Sequence, residues 1–83
     1  MTRVTLLTKT DCGLCEQAKE VLGRLGGEFD LIVETVDATS EEGRVLAERA
    51  GMAFPPAVLL DGEPFSYGRL SERKLRRMLQ SRT

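Results

Sequence analysis

The chain of 83 residues contains two cysteines, Cys12 and Cys15, and if their segment is helical both sulfurs lie within one turn. They belong to the stretch Lys9-Thr10-Asp11-Cys12-Gly13-Leu14-Cys15. Before it stands a short apolar run, Val4 to Leu7. After it comes a segment, Glu16 to Leu25, whose Ala18, Val21, Leu22 and Leu25 recur at helical spacing. The pair is therefore expected at a strand-to-helix junction. There the unpaired N–H groups of the first turn and the positive end of the helix dipole favour a thiolate at Cys12. Cys15, one turn on, is near enough to close a disulfide. A nucleophile and a resolving thiol in one turn are the equipment of thiol–disulfide exchange.

Two other uses of the sulfurs fit less well. Zinc takes four ligands, and with no third cysteine and no histidine a structural site needs carboxylates or a second chain, so no metal is expected. A purely structural disulfide closing so small a loop contributes little.

The composition allows one domain, residues 1–83, able to bury roughly 60–65% of its unfolded surface. With 41% hydrophobic residues a core forms without further cross-links, and four aromatics (Phe29, Phe54, Phe65, Tyr67) leave most packing to Leu, Val and Ala. A net charge of −1 argues against a strongly basic nucleic-acid binder. Met1-Thr2-Arg3 and the few apolar residues behind it are too short for a signal peptide, and no run approaches membrane-spanning length. The expected address is the cytosol and the expected resting state there the dithiol, without membrane or nucleic-acid partners and as a monomer.

The elements that position the cysteines follow in order. Arg3 to Thr8 reads as a strand apolar on both faces, suited to a central position. Thr10 or Asp11 is the expected cap of a helix from Cys12 to Leu25, which stops at Gly26-Gly27 by a left-handed glycine. Phe29 to Val36 reads as a second strand, parallel to the first through a right-handed crossover. Ser40 caps a second helix that runs to about Ala50 and ends at Gly51, its inward face Gly43, Leu46, Ala47 and Ala50. Met52-Ala53-Phe54-Pro55-Pro56 is an irregular connector, since two prolines forbid helix. Ala57 to Leu60 and Glu63 to Tyr67 form a hairpin about Asp61-Gly62, and Pro64 assigns the second of these strands to the sheet edge. Ser71 caps a last helix that buries Leu75, Met78 and Leu79.

The order β-α-β-α-β-β-α with Cys-x-x-Cys opening the first helix resembles the thioredoxin fold, a central four-stranded mixed sheet flanked by helices in an α/β domain. Within it the chain is similar to the glutaredoxin branch. The most specific pieces are Lys9 three places before Cys12, the Cys12-Gly13-Leu14-Cys15 motif, and the run Pro56-Ala57-Val58-Leu59-Leu60-Asp61-Gly62. The resemblance implies a cis bond before Pro56, placed beside the cysteines. It implies catalytic residues Cys12 and Cys15, and a substrate surface of Lys9, Gly13, Leu14, Pro55, Pro56, Tyr67, Gly68 and Arg69. It implies no resident cofactor, with glutathione or another small thiol as co-substrate.

Three positions depart from the family pattern. Members pair the backbone of the residue before the cis proline with the substrate. Here that residue is Pro55, which has no N–H, a loss of about 0.5–1.5 kcal/mol. Where glutaredoxins typically carry Gly-Gly and then an acid, this chain has Ser66-Tyr67-Gly68-Arg69, so a cation replaces an anion. Gly13 stands in place of a common proline, and some relatives of that kind carry iron–sulfur clusters.

The expected activity is thiol–disulfide exchange on a protein or small-thiol disulfide, with a thiol or a reductase protein regenerating the dithiol. Lys9 favours the Cys12 thiolate and Asp11 opposes it. The alternatives are an iron–sulfur or metal-binding module, and a redox-sensing adaptor docking through the C-terminal helix. That helix region carries Arg69, Arg73, Lys74, Arg76, Arg77 and Arg82, a pattern that also suits the wet side of an amphipathic helix.

Overall fold

The computed structural model describes residues 1–52 and 55–82. Ala53 and Phe54, within the expected irregular connector, lie outside the described residues. Seven elements follow: β1 Thr2–Thr8, α1 Gly13–Leu25, β2 Leu31–Asp37, α2 Glu41–Ala50, β3 Ala57–Leu60, β4 Glu63–Tyr67 and α3 Glu72–Ser81. The sheet runs β2-β1-β3-β4, with β1 parallel to β2 and antiparallel to β3, and β3 antiparallel to β4. This is the expected mixed sheet, β1 near its centre and the proline-bearing β4 at its edge. A bulge between Val58 and Leu59 adjusts the β3–β4 register.

β1 is apolar on both faces because both are covered. Val4 and Leu6 join Ala18, Val21, Leu22 and Leu25 of α1 and Leu75 and Leu79 of α3 in the larger core cluster. Leu7 faces the opposite side, where Ala57 and Leu59 pack under Leu46, Ala47 and Ala50 of α2. Gly43, also inward, brings α2 against the end of β2: a Cβ there would stand 2.8 Å from Ala38 Cα. Asp61 and Gly62 both take positive φ, 48° and 85°, as a two-residue hairpin turn requires.

Four expectations on the elements change. Gly26 has φ −63° rather than a left-handed conformation. The chain instead leaves α1 through further right-handed turns, Phe29 N–H donating to Leu25 C=O at 2.9 Å, and this lets the Phe29 ring reach the core. Phe29 is therefore not part of β2, which begins at Leu31. Met78 is 39% exposed, because α3 rests on the stripe of Leu75 and Leu79 and Met78 lies at its margin. The cap of α1 is neither Thr10 nor Asp11 but Cys12 itself.

Candidate functional site

At the end of the sheet where β1 finishes, three segments converge. The register sets Leu7 opposite Ala57 and Ala57 opposite Tyr67. The loop into α1, the prolines before β3 and the residues after β4 are thus brought to one rim. The Pro55–Pro56 bond is cis, as the resemblance implies. Pro56 is buried, and its carbonyl accepts the N–H of Gly68 at 2.7 Å. Gly68 has φ 79°, a conformation glycine adopts at little cost.

The two cysteines are paired as a disulfide, with their Cα atoms 5.2 Å apart. Asp11, at φ 55°, turns the chain so that Cys12 is extended and caps α1. Its sulfur accepts the N–H of Cys15 at 3.2 Å. A sulfur satisfying a first-turn N–H is well placed to hold negative charge once the pair is reduced, for the same N–H then makes a charge-assisted hydrogen bond. Cys12 is half-buried, whereas Cys15 is 1% exposed beneath it. One sulfur meets solvent and the other waits in the core.

The surrounding residues divide clearly. Gly13 and Leu14 are exposed over the first turn, Leu14 at 40%. Lys9, Asp11 and Arg69 are exposed, and no ion pair ties any of them among the described residues. Tyr67 is 53% exposed at the end of β4, and Pro55 is half-buried. A recess of about 230 Å³, lined by Leu7, Ala47, Met52, Pro55 and Ala57 together with the charged Arg44, opens on the α2 side of the rim.

Half of the basic residues lie beyond Tyr67, and the structure separates their duties. Arg76 donates to Glu28 at 2.6 Å and to Glu72 at 3.1 Å, and Arg24 of α1 donates to Glu72 at 2.7 Å. Hydrogen bonds from Arg76 to Glu28, and from Arg24 to Glu72, hold both carboxyls below their usual range. Arg82 pairs with Asp61, whose carboxyl is also lowered, chiefly by the backbone N–H of Arg3. Arg73, Lys74 and Arg77 are left exposed on the outer side of α3.

One residue without a signal in the sequence belongs to the rim. Gln17, two places past Cys15, is half-buried and hydrogen-bonds the backbone of Leu70 at both its N–H and its C=O. As an isolated polar residue beside the apolar stripe of α1 it looks like ordinary helix surface.

Among the described residues no cluster of three or more cysteine, histidine or acidic side chains is placed to hold a metal ion, and no helix is long and apolar enough to cross a membrane. Residues 3–80 match the family described as Glutaredoxin-like domain (DUF836). The uncharacterized protein Mb0520 of Mycobacterium bovis is 34% identical over 76 residues, covering 89% of this chain and 78% of that protein. The uncharacterized protein Rv0508 of Mycobacterium tuberculosis matches to the same extent. Among solved structures, a mutant thioredoxin from Halobacterium salinarum superposes with a TM-score of 0.73 at 25% identity, over 96% of this chain and 73% of that one. With the cysteine pair at the head of α1, a cis proline leading into β3 and a family match over nearly the whole length, the chain belongs to the glutaredoxin-like domain family of the thioredoxin superfamily.

Proposed function

We infer that the protein is a dithiol–disulfide oxidoreductase. The observation that carries this reading is the asymmetry of the pair, Cys12 at the solvent side as the helix cap and Cys15 buried behind it within disulfide distance. In the reduced protein, the Cys12 thiolate attacks one sulfur of a substrate disulfide. The substrate S–S bond breaks, one thiolate departs to be protonated by solvent, and the other remains joined to Cys12 as a mixed disulfide. Cys15, having lost its proton, then attacks the Cys12 sulfur and releases the second substrate thiolate. Two electrons have passed to the substrate, and the Cys12–Cys15 disulfide is the oxidised product. Two equivalents of a thiol, or a dithiol reductase, restore it.

With no histidine in the chain, protons move through water, Asp11, Lys9 or Cys15 itself. The substrate lies along Pro55 and Pro56, bordered by Gly13, Leu14, Tyr67, Gly68 and Arg69. Pro55 offers it a carbonyl and no N–H, and Arg69 offers a cation in place of the family's acid. Both features weaken the ordinary glutathione seat. The natural oxidant is then a protein or another small-thiol disulfide, met by a monomer.

The test is turnover of a disulfide substrate by wild type, Cys12→Ser and Cys15→Ser, with glutathione and with a thioredoxin-type reductase in parallel. Wild-type turnover that Cys12→Ser abolishes is expected, with glutathione the poorer reductant. No turnover with either reductant refutes the oxidoreductase assignment, and fast glutathione-dependent turnover refutes the weakened glutathione seat.

A further inference from the structure

We propose that Gln17 is a positioning residue of this site: its side-chain amide locks residues 68–70 to the dithiol helix and so keeps ready the surface on which a peptide disulfide lies. The inference rests on the exchange reaction proposed above. Gln17 Nε2 donates to the Leu70 carbonyl at 3.0 Å, and the Leu70 N–H donates to Gln17 Oε1 at 3.2 Å. The amide thus meets the backbone N–H and C=O of one residue, acceptor to donor and donor to acceptor, as the paired residue of an antiparallel neighbouring strand would. Reversing the amide breaks both bonds, so the orientation is determined.

The contact bridges 53 residues of sequence and is partly shielded from water. Leu70 is anchored as well by its side chain, 1% exposed in the core. Two residues earlier, Gly68 N–H is bonded to the Pro56 carbonyl. Residues 68–70 are therefore fastened at one end to the helix of Cys12 and Cys15 and at the other to the cis proline. Arg69 projects from backbone held in this way, and that backbone begins directly after Tyr67, which ends β4 opposite Ala57.

A rim held at both ends loses little conformational freedom when a peptide settles on it, so ordering cost is not subtracted from affinity. A rim freed at the Gln17 end loses that advantage. A small disulfide touching only the sulfurs is indifferent to the difference.

The experiment compares wild type, Gln17→Leu and Gln17→Glu on two substrates: bis(2-hydroxyethyl) disulfide, and a short peptide carrying one mixed disulfide. For Gln17→Leu the KM for the peptide is expected to rise roughly tenfold, the effect of losing two ordinary hydrogen bonds, with kcat and small-disulfide turnover unchanged. Gln17→Glu, which still accepts from Leu70 N–H but cannot donate while ionised, falls between. It also carries the test if Gln17→Leu does not fold. An unchanged peptide KM, or equal losses on both substrates, overturns the proposal. Independently of turnover, backbone amide exchange at Gly68 and Leu70 is expected to quicken in the variants while that of β1 stays the same. Unchanged protection at both positions also overturns the proposal. If wild type turns over neither disulfide, the exchange reaction is what has failed, and the amide measurement still judges the clamp.

Discussion

Replacing Gly43 by alanine sets two physical effects against each other. In a helix, alanine is more favourable than glycine by about 0.5–1 kcal/mol, so propensity alone predicts a gain in stability. The structure predicts the opposite. A Cβ at Gly43 would overlap the Asp37 carbonyl oxygen and stand 2.8 Å from Ala38 Cα and 2.9 Å from the Asp37 carbonyl carbon. All three are backbone atoms, which move only if the β2–α2 turn or the whole helix moves. Overpacking of this kind costs typically 1–3 kcal/mol, occasionally more, and exceeds the propensity gain. Gly23 is the internal control, since it too is helical but a Cβ there meets nothing within 4 Å. Urea unfolding followed by circular dichroism, with the Cys12–Cys15 disulfide closed, is expected to show Gly43→Ala destabilised by about 2 kcal/mol and Gly23→Ala stabilised by about 0.5–1 kcal/mol. For a domain of this size each kcal/mol corresponds to about 4–8 °C in Tm. A Gly43→Ala protein as stable as wild type refutes the close approach of α2, and with it the way Leu7 and Ala57 are covered beneath the rim.

Further measurements address the site and its supports. Cys15→Ser, incubated with a disulfide substrate, is expected to accumulate a mixed disulfide at Cys12 visible by mass spectrometry, while Cys12→Ser accumulates none; adducts on both variants contradict the division of roles. Ser66 Oγ is the one buried side-chain oxygen without a hydrogen-bond partner among the described residues, so Ser66→Ala is expected to leave stability unchanged or raise it by up to about 1 kcal/mol in the same urea assay. The Thr39 hydroxyl lowers the carboxyl of Asp37, Arg76 that of Glu28, Arg24 that of Glu72 and the Arg3 N–H that of Asp61. Each of these acids has its folded value below its unfolded one. Their contribution is therefore complete above the ordinary carboxylate range and lost as pH falls through the folded values, from about pH 5 downward. The urea midpoint is expected to decline over that window, and the part owed to the Arg76–Glu28 and Arg24–Glu72 pairs is expected to shrink in high salt; a midpoint flat from pH 7 to pH 3 contradicts the assignment.

Local chemistry determined much of this protein from the sequence alone. A two-residue Asp-Gly turn, a serine ahead of each of the last two helices, a proline that cannot serve a central strand and a cysteine pair at a strand-to-helix boundary all act within a few residues of themselves. For that reason the element order, the hairpin and edge position of β4, and the caps at Ser40 and Ser71 were readable before any contact was known. Other features depend on atoms far apart in the chain. Whether Met78 is covered depends on how α3 lies on the sheet, and whether Gly43 tolerates a side chain depends on where α2 comes to rest. Arg76 is bound to Glu28 across 48 residues, and Gln17 holds Leu70 across 53. Periodicity and propensity carry no record of such distances, so only the folded chain decides which polar side chains are wet surface and which fasten the rim.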